Sequence, residues 1–294
     1  MRGKVAVITG ATSGIGQVAA EKLAALGARL VLVARDKTRG EAALARLREA
    51  GAGVAHSIHY ADLSRLSEMK RVAQEIAGAE PRIDVLINNA GALFGTRQLT
   101  ADGLEFTFAT NHVAYFVLTD GLRARLWASA PARVINTASD AHKGNKLDFS
   151  DLQSANNYSG FKVYGRSKLC NILHARELAR RWAGSGVTSN SLHPGFVATR
   201  FGDESGGLLS FGVRMAKNFA ISPEKGAETI VYLASSDEVK KISGSYFYKC
   251  RVATPTREAQ DEDAAKRLWI ETAKLAGIPA DAKPPEGRSG DRVI

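Results

Sequence analysis

Tyr164 and Lys168 are separated by Gly-Arg-Ser, inside a run from Tyr158 to Trp182 that reads as a helix. Helical spacing places the two side chains one turn apart on one face. A phenol and an ammonium that close shift each other's pKa. The spacing predicts a Tyr164 pKa lowered from its ordinary value of about 10, so that the phenol can give and take a proton near neutrality. Tyr-x-x-x-Lys is frequent by chance, and the pair gains meaning only from its surroundings. Ser139 ends the apolar run Val134 to Ala138, at the strand edge where open α/β sheets hold their ligands. Asn111 lies within a helical pattern over 100 to 128. An asparagine there is locally unfavourable, which predicts a distortion that exposes a backbone carbonyl to water.

A nucleotide could meet these groups through the start of the chain. Lys4 to Thr9 reads as a short buried strand, followed by Gly10-Ala-Thr12-Ser13-Gly14-Ile15-Gly16 and a helical stretch to Leu26, stopped by Gly27. Strand, glycine turn and helix let the backbone approach a pyrophosphate at a helix N-terminus. The second strand, Arg29 to Ala34, ends at Arg35. An acidic residue at that end would grip a ribose 2′-hydroxyl, whereas an arginine accommodates a 2′-phosphate, so NADP(H) is expected in preference to NAD(H). Asp36 is read as the cap of a helix over 37 to 50.

The remaining elements alternate. Val54 to Tyr60 is expected as a third strand, followed by Asp62 and Leu63, which either meet an adenine edge or, for Asp62, cap the helix over 64 to 77. A fourth strand over Ile83 to Ile87 ends in Asn88-Asn89-Ala90-Gly91, where the asparagines either tie strands together or open a cofactor path. Val187 to Leu192 is a sixth strand ending at His193-Pro194-Gly195. Residues 201 to 219 are read either as a lid over a substrate pocket or as a surface helix, with Leu208, Phe211, Met215 and Phe219 at helical spacing. Leu93, Phe94 and Phe201 suggest an apolar pocket. Further elements are a helix from Pro223, a strand over 245 to 248, and a helix over 258 to 276.

The chain has 294 residues, is 45% hydrophobic and carries a net charge of +10. No linker divides it, so residues 1–279 are expected as one domain and 280–294 as a disordered tail. Its basic residues are scattered rather than interleaved with aromatics, so no nucleic-acid partner is expected. The two cysteines, Cys170 and Cys250, do not make a disulfide framework and are read as small buried thiols. No apolar run could span a membrane and no N-terminal anchor is expected, which together suggest a cytoplasmic protein. His142 and His193 have no partner at metal-ligand spacing and are read as structural, with no metal site.

These motifs, in this order, resemble the short-chain dehydrogenase/reductase family: Thr9-Gly10-x-x-x-Gly14-Ile15-Gly16, Asn88-Asn89-Ala90-Gly91, Asn111, Ser139, Tyr164-x-x-x-Lys168 and Pro194-Gly195. Thr110-Asn-His112, Ser139-Asp-Ala-His142, Leu147-Asp-Phe149, His193-Pro-Gly195 and Leu268-Trp269 resemble its retinol-dehydrogenase-like and WW-domain-oxidoreductase-like branch. The resemblance implies a doubly wound α/β Rossmann domain with about seven parallel strands and helices on both faces. It implies that Tyr164 is the acid/base and that Lys168 lowers its pKa and holds the nicotinamide ribose. Ser139 would be the oxyanion donor, and Asn111 would hold a water leading from Lys168. The implied cofactor contacts are Gly10, Thr12, Ser13, Gly14, Ile15, Gly16, Arg35, Asp62, Leu63, Asn89, Ala90, Gly91, Tyr164, Lys168, Pro194, Gly195, Val197 and Thr199. The expected activity is carbonyl–alcohol interconversion on an apolar small molecule. The competing readings are an NAD-dependent alcohol dehydrogenase and a nucleotide-sensing regulator that has lost its chemistry. The helices at 100–128 and 158–183 are expected to pair in a homodimer or homotetramer.

Overall fold

β1 (Val5–Thr9) reads Val-Ala-Val-Ile-Thr and is buried throughout; β2 (Arg29–Ala34) is buried except at Arg29. Strands without polar alternation must be covered on both faces, as in a parallel sheet. The computed structural model describes residues 1–195 and 221–281 and shows that sheet. Val197, Thr199, the 201–219 segment and the tail beyond 281 lie outside the described residues.

Along the chain come α1 (Gly14–Ala25), α2 (Lys37–Ala50), β3 (Ser57–Tyr60), α3 (Leu66–Ala79), β4 (Val85–Asn88), α4 (Phe106–Phe108), a π-helical turn (Ala109–Val113), α5 (Ala114–Gly121) and α6 (Arg123–Ala128). Then follow β5 (Ala132–Thr137), a tight turn (Asp140–His142), α7 (Gly160–Arg181), β6 (Val187–His193), α8 (Pro223–Ser235), β7 (Tyr246–Tyr248), β8 (Arg251–Ala253) and α9 (Glu262–Ala276). The sheet order is β3-β2-β1-β4-β5-β6-β7-β8. The first seven strands run parallel, in a register that places Ile8 beside Leu32 and Ile87. Order reverses between β1 and β4, and their carboxyl ends open the crevice where such sheets bind ligands.

α1, α2 and α8 cover one face, with Ala19, Ala20 and Ala24 letting α1 lie close against α8. α3, α5 and α7 cover the other, and α9 lies outside α7. Of the 22 residues of α7, 14 are buried, because α9 takes its outer side. Trp269 packs edge-on against Phe116 at 4.8 Å and beneath the Arg181 guanidinium. α9 thus covers one side of α7, while Phe161 near its start remains exposed.

Two departures have local causes. β8 was not expected: it pairs antiparallel with β7 through a turn in which Lys249 and Cys250 have φ of 50° and 59°. Hairpins favour this left-handed pair, but Gly and Asn usually announce it. Cys250 is therefore only half-buried, whereas Cys170 is buried. The helix expected over 100–128 begins at Phe106, where buried Glu105 accepts from the Thr107 and Phe108 amides. It widens into the π-turn around Asn111 and breaks at Leu122. The distortion expected at Asn111 is present.

Candidate active site

The glycine turn carries the first half of the site. Gly10 has φ of 69°, and a methyl group at Gly16 would collide with the Gly10 carbonyl and the Asn89 amide. The turn is closed by close packing that only glycine allows. Asn89 spends its side chain on this turn, donating to the carbonyls of Thr9 (3.1 Å) and Gly10 (3.3 Å) and accepting from Thr137 Oγ1. Thr9 Oγ1 accepts from the amides of Asn89 and Ala90. Ser13 precedes α1 without capping it by a side-chain bond, and Thr12, Ser13, Gly14 and Ile15 all retain exposure. Arg35 stands exposed at the carboxyl end of β2, and Asp36 caps α2 by accepting from the Arg39 amide at 2.8 Å. Asp62 holds its own loop, accepting from the Ser64 amide and hydroxyl, while Leu63 packs partly into the core. Asn88 joins β4 to β5 through Asn136 Oδ1 at 3.0 Å, an architectural bond.

The second half gathers at the carboxyl ends of β4 and β5. Lys168 is buried, and its Nζ donates to the Thr137 carbonyl at 3.0 Å. The same oxygen accepts from Asn171 Nδ2 at 3.1 Å. The Lys168 ammonium lies 5.6 Å from the Tyr164 ring centre and 5.9 Å from that of Tyr115. Ser139 is hydrogen-bonded to Tyr164, and its Oγ accepts from the Ala141 amide at 3.2 Å. With an amide donating to that oxygen, the Ser139 hydroxyl still has its own proton to donate. Asn111 Oδ1 and Lys168 Nζ both approach Gly91. The Asn111 side chain accepts from the Ala92 amide (2.7 Å) and donates to the Ala92 carbonyl and to Ser167 Oγ (both 2.9 Å). It thereby pins the 89–92 loop, which Tyr115 also holds through the Ala90 carbonyl at 2.8 Å.

Electrostatics corrects one expectation. Burial pushes the Tyr164 phenol up to about 12, with the Ser139 hydrogen bond acting the other way. Burial also lowers Lys168 to about 7. Tyr164 is therefore a proton holder across the neutral range.

Other expectations resolve plainly. Leu93 and Phe94 are buried, and Phe94 packs on Phe106 at 4.8 Å; Phe201, Leu208 and Phe211 lie outside the described residues. His112 bonds Thr272 at 2.9 Å, and burial holds it well below the ordinary value. No group of residues able to hold a metal exists among the described residues. Tyr115 and Asn171 were missed, although each stands one helical turn from a recognised residue, Asn111 and Lys168.

A family profile for short chain dehydrogenases matches residues 4–208. The chain belongs to that family. Human retinol dehydrogenase 13 is 39% identical over 286 residues, covering 95% of this chain and 86% of the relative. A solved structure of an uncharacterised Mycobacterium paratuberculosis protein aligns with a TM-score of 0.76 and 30% identity over 97% of this chain and 96% of that one. A Sphingobium yanoikuyae short-chain dehydrogenase solved in complex with NADPH aligns at 0.63 with 27% identity, over 78% and 83% of the two chains. Membership makes this short-chain dehydrogenase an NAD(P)-dependent oxidoreductase acting on CH–OH groups. Among the described residues no helix is long and apolar enough to cross a membrane.

Proposed function

We propose that this chain interconverts an aldehyde or ketone and its alcohol by hydride transfer, with NADP(H) as the preferred cofactor and residues 1–279 as one catalytic domain. The observation that carries the reading is the convergence of Ser139, Tyr164 and buried Lys168 at the strand ends that also carry the closely packed glycine turn. Arg35 at the end of β2 supports the 2′-phosphate form. The named likeness to retinol dehydrogenase 13 supports an apolar substrate.

The residues present fit such a cofactor. The α1 N-terminus would receive the pyrophosphate, and Gly91 lies where a side chain would crowd Asn111 and Lys168, which supports a close backbone approach there. When bound, NADPH supplies the hydride. Tyr164, protonated at neutral pH, gives its proton to the carbonyl oxygen and retrieves it in the reverse direction. Ser139 donates a hydrogen bond to the same oxygen as charge develops, a contribution of about 3 kcal/mol for one placed donor. Lys168, fixed on the Thr137 carbonyl, supports the phenolate. Its fixed position also suits it to the nicotinamide ribose. The test is NADPH oxidation across apolar aldehydes, ketones and quinones, with NADH in parallel. Turnover of apolar aldehydes with NADPH is expected, and no oxidation of either nucleotide with any carbonyl would refute the reading.

A further inference from the structure

Ser139 is read above as the oxyanion donor, and the direction of its hydroxyl depends on the peptide unit that follows it. That unit is the Ser139 carbonyl and the Asp140 amide, and a histidine meets each end. His142 Nδ1 lies 2.7 Å from the Ser139 carbonyl oxygen, which also accepts from the His142 backbone amide at 3.2 Å. The Asp140 amide donates to His193 Nδ1 at 3.1 Å, and the Gly195 amide donates to the same nitrogen at 3.3 Å. A carbonyl only accepts, so His142 carries its proton on Nδ1. Two amides only donate, so His193 Nδ1 is bare and its proton is on Nε2. The Thr256 amide, 3.4 Å from His142 Nε2, agrees with the first assignment.

We propose that His142 and His193, in opposite tautomers, are positioning residues that clamp the Ser139–Asp140 peptide and so aim the Ser139 hydroxyl at the Tyr164 oxygen and the substrate. The inference rests on the proposed role of Ser139. Both rings are buried and braced by alternate residues of β7. Tyr246 meets His142 edge-on at 5.3 Å, and Tyr248 stacks on His193 at 4.9 Å. His193 also ties the serine turn to Gly195, so the ends of β5 and β6 are held as one unit.

The clamp has a sign. A protonated His193 would present a donor to two donors and release both loops. Burial lowers its pKa to about 4; the Asp140 carboxylate opposes that shift, Lys143 and His142 reinforce it, and the Tyr248 ring covers one face. Its lowered pKa keeps the clamp closed above that value and opens it as pH falls through it.

Two variants and one spectrum test the proposal. His193→Leu removes the acceptor, whereas His193→Asn keeps an acceptor oxygen close to the Nδ1 position and cannot titrate. The leucine variant is expected to lose about 10–100-fold in kcat, the scale of a small misplacement. The asparagine variant is expected to recover most of that rate and to lack the wild-type fall in kcat toward pH 4. Wild-type kcat in His193→Leu, or an unchanged acid limb in His193→Asn, would overturn the clamp. Long-range proton–nitrogen spectra of the two rings read the tautomers without any turnover. They are expected to show Nδ1–H for His142 and Nε2–H for His193, and the same tautomer in both would overturn the proposal. An enzyme inert toward every carbonyl would defeat the proposed activity, while the spectra would still decide the clamp.

Discussion

Lys168 shows most directly how burial sets chemistry at the level of one residue. Its Nζ donates to the Thr137 carbonyl, and burial lowers its pKa to about 7. The Tyr164 phenol remains protonated up to about 12. Reduction uses that proton, and alcohol oxidation requires its removal. We expect kcat for oxidation to rise with pH from neutrality toward about 12, the value to which burial pushes Tyr164, while carbonyl reduction stays level or falls. Paired pH–rate profiles check this, and a flat oxidation profile would count against Tyr164 as the base. Arg35 makes a separate prediction. Replacing a guanidinium that can hold a phosphate bidentately with a carboxylate reverses the charge at that site. Arg35→Asp is expected to lower the NADPH-to-NADH ratio of kcat/KM by about 10–100-fold, the size of one lost charge-assisted contact. An unchanged ratio would remove Arg35 from cofactor choice.

Helix α9 decides more than its distance from the chemistry suggests. It covers α7, and through Trp269 it reaches Phe116 on α5, the helix that follows the Asn111 turn. Trp269→Ala should cost about 3 kcal/mol, the usual scale for emptying a large aromatic site in a core. Urea unfolding would show it as a lower midpoint, and an unchanged midpoint would mean that α9 is not integral to the fold. The elements also show what could be read in advance. The Val-Ala-Val-Ile strand and the glycine turn were legible because burial on both faces and close backbone approach leave composition signals. The β7–β8 hairpin was not, because Lys249 and Cys250 occupy left-handed positions usually marked by Gly or Asn. The roles of Tyr115 and Asn171 were hidden for another reason. A tyrosine and an asparagine on buried helix faces look like ordinary packing until the carbonyls they meet, Ala90 and Thr137, are placed.

Across the whole molecule, the sheet brings together residues more than 150 positions apart. The β1–β4 switch point sets the glycine turn beside Asn89, and β5 and α7 set Ser139 and Lys168 beside it. The parallel order was readable from strand–helix alternation, and the resemblance supplied the roles. The direction of the Tyr164 shift was not readable, because it depends on burial that sequence spacing does not reveal. Asn111 was legible as a helix distortion, but the commitment of its side chain to Ala92 and Ser167 was not. In the proposed reaction one phenol moves the proton while the rest of the fold holds the nucleotide. Tyr164→Phe tests it most directly, because it removes one oxygen and leaves the ring packing in place. Turnover of an apolar aldehyde with NADPH, and NADPH affinity by fluorescence titration, should be measured on the same sample. The account predicts loss of turnover by at least about a hundredfold, the scale of a general-acid contribution, with NADPH affinity nearly unchanged. Wild-type turnover in that variant would contradict it.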